Sequence, residues 1–92
     1  MHLLAIAGRE DTGAYAVQDK FGQKVLYLFV EEDDAERYRL QLEENEAGGM
    51  EIVEVEEEVA IKACEMYNYK YAIITKNDFV IPPLQDDTVQ KN

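Results

Sequence analysis

The feature that most constrains the fold is an abrupt change from apolar to acidic residues about one third of the way along the chain. Residues 25–30 read Val-Leu-Tyr-Leu-Phe-Val, and residues 31–34 are all Glu or Asp. A short run of β-branched, aromatic and other apolar residues predicts a strand that is buried on both faces. Acidic residues favour the start of a helix, because they interact with the positive end of its dipole. The junction therefore predicts a central strand that leads directly into a helix.

Two helices are predicted. The first has a capping-box pair, Asp33 and Glu36, and apolar residues at helical spacing behind it. The second opens with the acidic residues 56–58 and ends at Asn68, a residue that readily terminates helices. The apolar face of the first helix consists of Ala35, Tyr38 and Leu42.

Short apolar segments on either side of the helices predict further strands at residues 3–7, 14–17, 50–55, 71–75 and 79–81. This order predicts an α+β domain: a two-layer sandwich, with a mixed or mainly antiparallel sheet and both helices on one face, as a variant of the ferredoxin-like fold. The strand-helix-strand unit over residues 25–55 should cross right-handed, and the N-terminal strand could lie between its two strands.

The length of the chain predicts its domain organisation. With 92 residues, the chain is long enough for one domain and too short for two. We expect a single α+β domain over residues 1–83. Two prolines end its regular structure, and a flexible C-terminal tail follows over residues 84–92.

The charge of the chain limits its partners. Twenty Asp and Glu residues stand against nine Lys and Arg residues, which gives a net charge of -11. Nucleic acids and anionic membrane surfaces attract basic proteins, so neither is an expected partner. A net negative charge favours rapid encounter with a basic protein. The simplest reading is that the acidity only keeps the protein in solution.

The cysteine content and the apolar runs indicate a compartment. Cys64 is the single cysteine, so no internal disulfide forms, and this suits a reducing environment. The apolar N-terminus is too short for a signal peptide, and no run approaches the roughly 20 residues of a membrane helix. We expect a protein of the cytoplasm or the plastid stroma that does not enter membranes.

No residue pattern predicts a catalytic, cofactor or metal site. Cys64 is followed by the anionic Glu65, and the sole histidine, His2, lies near the end of the chain, so we interpret Cys64 as a packed core residue. The acidic groups at 31–34 and 56–58 lack the spacing of a calcium loop, and helix dipoles account for them. The protein is therefore predicted not to be an enzyme and to carry no cofactor.

The residues around the strand-helix junction resemble the signature of the DUF3110 family, small proteins of cyanobacteria and plastids. The resemblance covers about residues 3–83 and departs from the family pattern at residues 9–12, where an Asn-containing stretch is expected. It implies a cyanobacterial or plastid setting and carries over no catalytic residue. The matching positions are Phe29, residues 32–35, Arg37, Tyr38, Leu42 and Glu43, with Gly13, Tyr67 or Tyr69, Pro82 and Pro83 outside the junction.

Three functions remain open. The first is a non-enzymatic interaction or regulatory module that docks on a basic protein, or forms a homodimer through a sheet edge. The second is a small-metabolite sensor at a dimer interface, with a pocket formed by Arg9, Tyr15 and Tyr71. An enzyme of unknown type is the least favoured. The residues predicted to contact a partner are Arg9, Arg37, Tyr38, Tyr67 and Tyr69.

Overall fold

The computed structural model describes residues 1–8, 13–45 and 49–82. In chain order the elements are β1 (His2–Ile6), β2 (Ala16–Gln18), β3 (Lys24–Phe29), α1 (Glu32–Glu44), β4 (Met50–Glu54), α2 (Glu57–Tyr67) and β5 (Lys70–Ile74). The predicted passage from strand to helix is confirmed, since β3 ends at Phe29 and α1 begins at Glu32. Asn68 ends α2 in the left-handed conformation, with φ of 64°. The predicted tail at 84–92 lies outside the described residues.

Strand β3 lies at the centre of a mixed sheet. Its Leu26 pairs antiparallel with Ala16 of β2 and parallel with Tyr71 of β5, so these neighbours occupy opposite edges of β3. Its last residue, Phe29, pairs with β1 on one edge and β5 on the other. Strand β1 also pairs antiparallel with β4 along its length. The predicted position of the N-terminal strand, between β3 and β4, is therefore confirmed.

The two helices cover opposite faces of this sheet. Adjacent residues of a strand point to opposite faces, and in β1 Leu3 belongs to one buried cluster and Leu4 to the other. Ala60 and Cys64 of α2 lie in the cluster of Leu3, whereas Tyr38 of α1 lies in the cluster of Leu4. The predicted α+β class and mixed sheet are confirmed. The placement of the helices differs, because we expected both on one face.

The strand order explains this difference. Both β3 and β4 run antiparallel to β1, and β5 runs parallel to β3, so β3, β4 and β5 share one direction. The connection through α1 crosses the sheet from β3 to β4, and the connection through α2 crosses back from β4 to β5. Two crossovers of the same hand that run in opposite directions place their helices on opposite faces.

Two local predictions are wrong. Helix α1 begins at Glu32, with Glu31 as its N-cap and no side-chain capping hydrogen bond. Glu36 accepts hydrogen bonds from Arg39 instead of completing a capping box. Residues 79–81 form no strand, and Val80 packs against the buried cluster of α1. Charge pairing on the helix and burial of an apolar side chain override the two local patterns.

Candidate functional site

Both acidic sequence groups lie at the same end of the molecule, at the starts of two helices on opposite faces of the sheet. Since β3 and β4 run in the same direction, the helices that follow them begin at the same end of the sheet, where the carboxyl ends of these strands lie. The carboxylates at this end are all exposed to solvent. We call this surface the acidic end; its residues are Glu31, Glu32, Asp33, Glu54, Glu56, Glu57 and Glu58.

The helix dipoles favour acidic side chains at both helix starts. A helix N-terminus carries a partial positive charge, and it stabilises nearby acidic side chains by about 0.3–1 kcal/mol. Neither N-cap residue, Glu31 or Glu56, uses its side chain in a capping hydrogen bond. The helix dipoles therefore stabilise the carboxylates of the acidic end, and the side chains of the two N-cap residues form no capping hydrogen bond.

Lysine residues are found at the opposite end of the sheet. Lys24 and Lys70 open the parallel strands β3 and β5, and Lys20 lies in the turn before β3. Lys70 Nζ lies 3.7 Å from Asp19 Oδ2, and Lys24 Nζ lies 5.7 Å from the ring centroid of Tyr69. Lys76, in the turn after β5, lies near the acidic end. The acidic end is nevertheless mainly negative, whereas the opposite end of the sheet carries charges of both signs.

A small cleft lies beside the acidic end, between α1 and the chain that follows β5. Its volume of about 20 Å³ is room for roughly one water molecule. Helix α1 supplies its polar wall, and the segment 78–80 closes the other side. We call it the Asp34 cleft; it is lined by Phe29, Asp34, Arg37, Tyr38, Gln41, Ile74, Asp78, Phe79 and Val80.

Asp34 is an unusual residue in this cleft, because it is a carboxylate with only 7% of its surface exposed. Its Oδ1 accepts a hydrogen bond of 2.9 Å from Arg37 Nη1. Its Oδ2 is buried and accepts no hydrogen bond from any residue that the structure describes, and the same is true of Gln41 Oε1. A buried acceptor without a donor costs about 1–3 kcal/mol. The cleft therefore holds two oxygens whose hydrogen-bonding capacity is unused within the described chain.

Tyr38 was predicted to contact a partner, and this prediction is corrected. Only 2% of its surface is exposed, and its ring lies 5.6–5.7 Å from those of Tyr15, Tyr27 and Phe29. Its hydroxyl lies 3.1 Å from the hydroxyl of Tyr15. Burial raises the pKa of Tyr38 far above its ordinary value, and the hydrogen bond with Tyr15 adds to this. Tyr38 is thus a core residue that forms part of the buried lining of the cleft.

The other residues predicted to contact a partner lie far apart in the fold. Arg37 is exposed on α1, next to the acidic end, and its guanidinium pairs with Asp34. Tyr67 is 70% exposed, but it ends α2 at the opposite end of the sheet, where Tyr69 packs against the core. Arg9 lies outside the described residues. The structure therefore does not unite these residues in one surface.

The pocket predicted for a metabolite is not formed by its two described residues. Tyr15 packs against the cluster of α1. Tyr71 pairs in register with Leu26, a residue of the cluster on the opposite face, so its side chain points to that face. Tyr15 and Tyr71 are thus separated by the sheet. The third residue, Arg9, lies outside the described part of the chain.

Cys64 is a buried core residue, as predicted. Burial raises the pKa of its thiol, and the negative charge of Glu65 raises it further. The thiol therefore stays protonated near neutral pH. Within residues 1–8, 13–45 and 49–82, no three His, Cys, Asp or Glu side chains are grouped as they would be around a metal ion.

Sequence reasoning missed Asp34, Gln41 and Phe79. A signal for Asp34 was present, because it precedes Tyr38 by four residues and therefore lies on the apolar face of α1. A carboxylate at such a position is buried beside its apolar neighbours. No local pattern could indicate that the segment after β5 would cover it.

Asp78 fixes the segment that closes the cleft. Its Oδ2 accepts hydrogen bonds from the backbone nitrogen of Thr75, at 2.8 Å, and from Thr75 Oγ1, at 3.0 Å. These bonds lower the pKa of Asp78 below its ordinary value of 3.8. Backbone hydrogen bonds from Gln23 and Phe21 likewise lower the pKa of Asp19.

These two aspartates predict how stability depends on pH. A carboxyl whose pKa is lower in the folded protein contributes stability above its unfolded pKa, and that stability is lost as pH falls through the folded pKa. We expect the free energy of unfolding to fall on acidification below about pH 4, and to fall less in the variant Asp19→Asn/Asp78→Asn. Urea unfolding followed by circular dichroism between pH 2 and 6 measures both slopes. Equal slopes for the two proteins would contradict the assignment.

Comparison with known proteins yields a family and nothing further. A family model described as "Domain of unknown function (DUF3110)" matches residues 2–84. No curated protein matches the chain significantly. No solved structure matches it either. Among the described residues, no helix combines the length and the apolar character needed to cross a membrane.

Proposed function

Because the chain belongs to the DUF3110 family, a domain of unknown function, we propose its function from its own surface. The protein is a non-enzymatic interaction or regulatory module that docks through its acidic end on a basic surface of a partner protein. The observation that carries this proposal is the placement of two separate acidic sequence groups at the same end of the sheet, where β3 and β4 lead into the two helices.

The electrostatics of the acidic end support docking. Its carboxylates are exposed, and they belong to a chain of net charge -11. Opposite potentials on two surfaces speed their encounter and fix their relative orientation, and both effects weaken as salt is added. The two helix starts are anchored to one sheet, so the positions that carry these charges keep a constant spacing.

The size of the Asp34 cleft suits one side chain of a protein partner better than a whole metabolite. Binding pockets for small molecules enclose most of their ligand. The Asp34 cleft, at about 20 Å³, has room for one small chemical group and not for a whole metabolite. A cleft of this size is suited to the tip of one side chain from a surface that lies across it.

A homodimer through a sheet edge stays a prediction. Strands β4 and β5 are the outermost strands of the sheet, each paired on one edge to β1 and β3 respectively. Strand addition at such an edge would use backbone hydrogen bonds and leave the acidic end accessible.

Removal of two carboxylates from the acidic end is expected to weaken binding of the partner. With Glu57→Gln/Glu58→Gln as bait, a partner captured by the wild type from the soluble extract of the source organism should be recovered poorly. Exposed ion pairs contribute about 0.2–1 kcal/mol each, so the Kd for the purified partner should rise by roughly 2- to 30-fold. Isothermal titration calorimetry at low and high salt measures this change.

The matched control is Glu44→Gln/Glu65→Gln. It removes the same number of exposed carboxylates from the C-terminal turns of α1 and α2, at the other end of the sheet. Its Kd should stay close to that of the wild type at each salt concentration. Equal weakening by the two variants, or capture of no basic partner at low salt, would show that the acidic end is not the docking surface.

A further inference from the structure

The unused acceptors of the Asp34 cleft indicate a ligand with hydrogen-bond donors. Asp34 is more than nine-tenths buried, and its Oδ2 has no donor among the described residues. Gln41 lies two helical turns further along α1 and lines the same cleft. Its Oε1 is also buried and also has no donor among the described residues. Buried polar atoms in folded proteins are nearly always hydrogen-bonded, so the two oxygens require a donor from outside the described chain.

The size of the cleft limits the donor. A volume of about 20 Å³ holds a group no larger than roughly a water molecule. An ammonium group fits this size, presents three donors and carries a compact charge, whereas a guanidinium is a broad planar fork. The cleft is therefore better suited to the tip of a lysine side chain than to that of an arginine.

The charges that line the cleft favour a cation. Asp34 and Asp78 are acidic residues, and Arg37 is the basic residue of the lining. The guanidinium of Arg37 forms an ion pair with Asp34 Oδ1. The Arg37 side chain is 60% exposed, so much of it faces solvent and not the cleft. Phe79, with 84% of its surface exposed, belongs to the lining and adds an aromatic side chain to it.

We propose that the Asp34 cleft binds the ammonium group of a lysine on the partner protein, with Asp34 Oδ2 and Gln41 Oε1 as acceptors. This inference rests on the proposed docking of a basic partner at the neighbouring acidic end. It adds a preference for lysine that long-range charge alone does not provide, since lysine and arginine carry the same charge.

The test uses three capped nonapeptides with the same flanking arginines and a central lysine, arginine or norleucine. The wild-type protein should bind the lysine peptide at least about 10-fold more tightly than the other two, because a hydrogen bond to a charged group is lost with each replacement. Asp34→Asn should abolish this preference, and Gln41→Leu should reduce it. Asp33→Asn is the matched control, because it removes an exposed carboxylate from the adjacent position of the same helix, and it should keep the preference.

The outcomes separate this inference from the docking proposal. Equal affinity of the wild type for the three peptides would overturn the lysine site. Equal effects of Asp34→Asn and Asp33→Asn would overturn it as well. Glu57→Gln/Glu58→Gln should weaken binding of the lysine and arginine peptides, which carry the same charge, to the same degree. Thermal unfolding of each variant shows whether it is folded. If Asp34→Asn does not fold, Gln41→Leu provides the test of the lysine preference.

Discussion

Replacement of Tyr38 by alanine is expected to lower the free energy of unfolding by about 3–5 kcal/mol. Tyr38 is buried among three aromatic rings on the α1 face of the sheet, and its loss would leave a cavity at the centre of that cluster. A domain of this size is stable by only about 5–15 kcal/mol, so the variant should be close to its unfolding transition at 37 °C. Urea unfolding followed by circular dichroism measures the difference.

The control for Tyr38 is another tyrosine from the set predicted to contact a partner. Tyr67 is largely exposed at the end of α2, so Tyr67→Ala should change the free energy of unfolding by no more than about 0.5 kcal/mol. The milder Tyr38→Phe removes only the hydroxyl that meets Tyr15 and should cost about 1 kcal/mol. Similar costs for Tyr38→Ala and Tyr67→Ala would show that Tyr38 is not the centre of this core.

Replacement of Leu28 by alanine is expected to cost about 2–5 kcal/mol. Leu28 is fully buried on the face that α2 covers, with Ala60 and Cys64 in the same cluster. A loss of this size should lower the melting temperature by roughly 8–40 °C, since each kcal/mol corresponds to about 4–8 °C in a small domain. Differential scanning calorimetry measures the shift.

A second leucine provides the comparison for Leu28. Leu40 lies on the exposed side of α1, as its position off the apolar face predicts, so Leu40→Ala should leave the melting temperature within a few degrees of the wild type. A large loss in Leu40→Ala, or a small one in Leu28→Ala, would be inconsistent with a sheet that is covered by α2 on the second face.

Local patterns predicted most of the elements. The apolar run of β3 and the acids after it fix the strand-helix junction, because burial and the helix dipole act over a few neighbouring residues. Asn68 ended α2 as its chemistry indicates. The covering of both faces was not predicted, since it depends on β4 and β5 lying at opposite edges, and strand order is set by contacts between distant residues.

The candidate site was predicted only in its charge. The net charge indicated a basic partner, whereas the two acidic groups were attributed to the helix dipoles. Their placement at the same end of the sheet follows from the shared direction of β3 and β4. Tyr38 was assigned to the surface because tyrosine is common at interfaces, although its spacing with Ala35 and Leu42 placed it on the buried face. The cleft at Asp34 requires the segment after β5, which is more than forty residues away along the chain.

The interior position of β1 has a consequence for synthesis of the chain. Strand β1 leaves the ribosome before both of its neighbours, yet it pairs with β3 on one edge and β4 on the other. At roughly 5–20 residues per second, about 3–10 s pass between the translation of β1 and that of the last residue of β4. During this interval the short apolar segment from Leu3 to Ile6 cannot pair with both β3 and β4. The pairing of β1 on both edges can therefore be completed only when more than half of the 92 residues have been made.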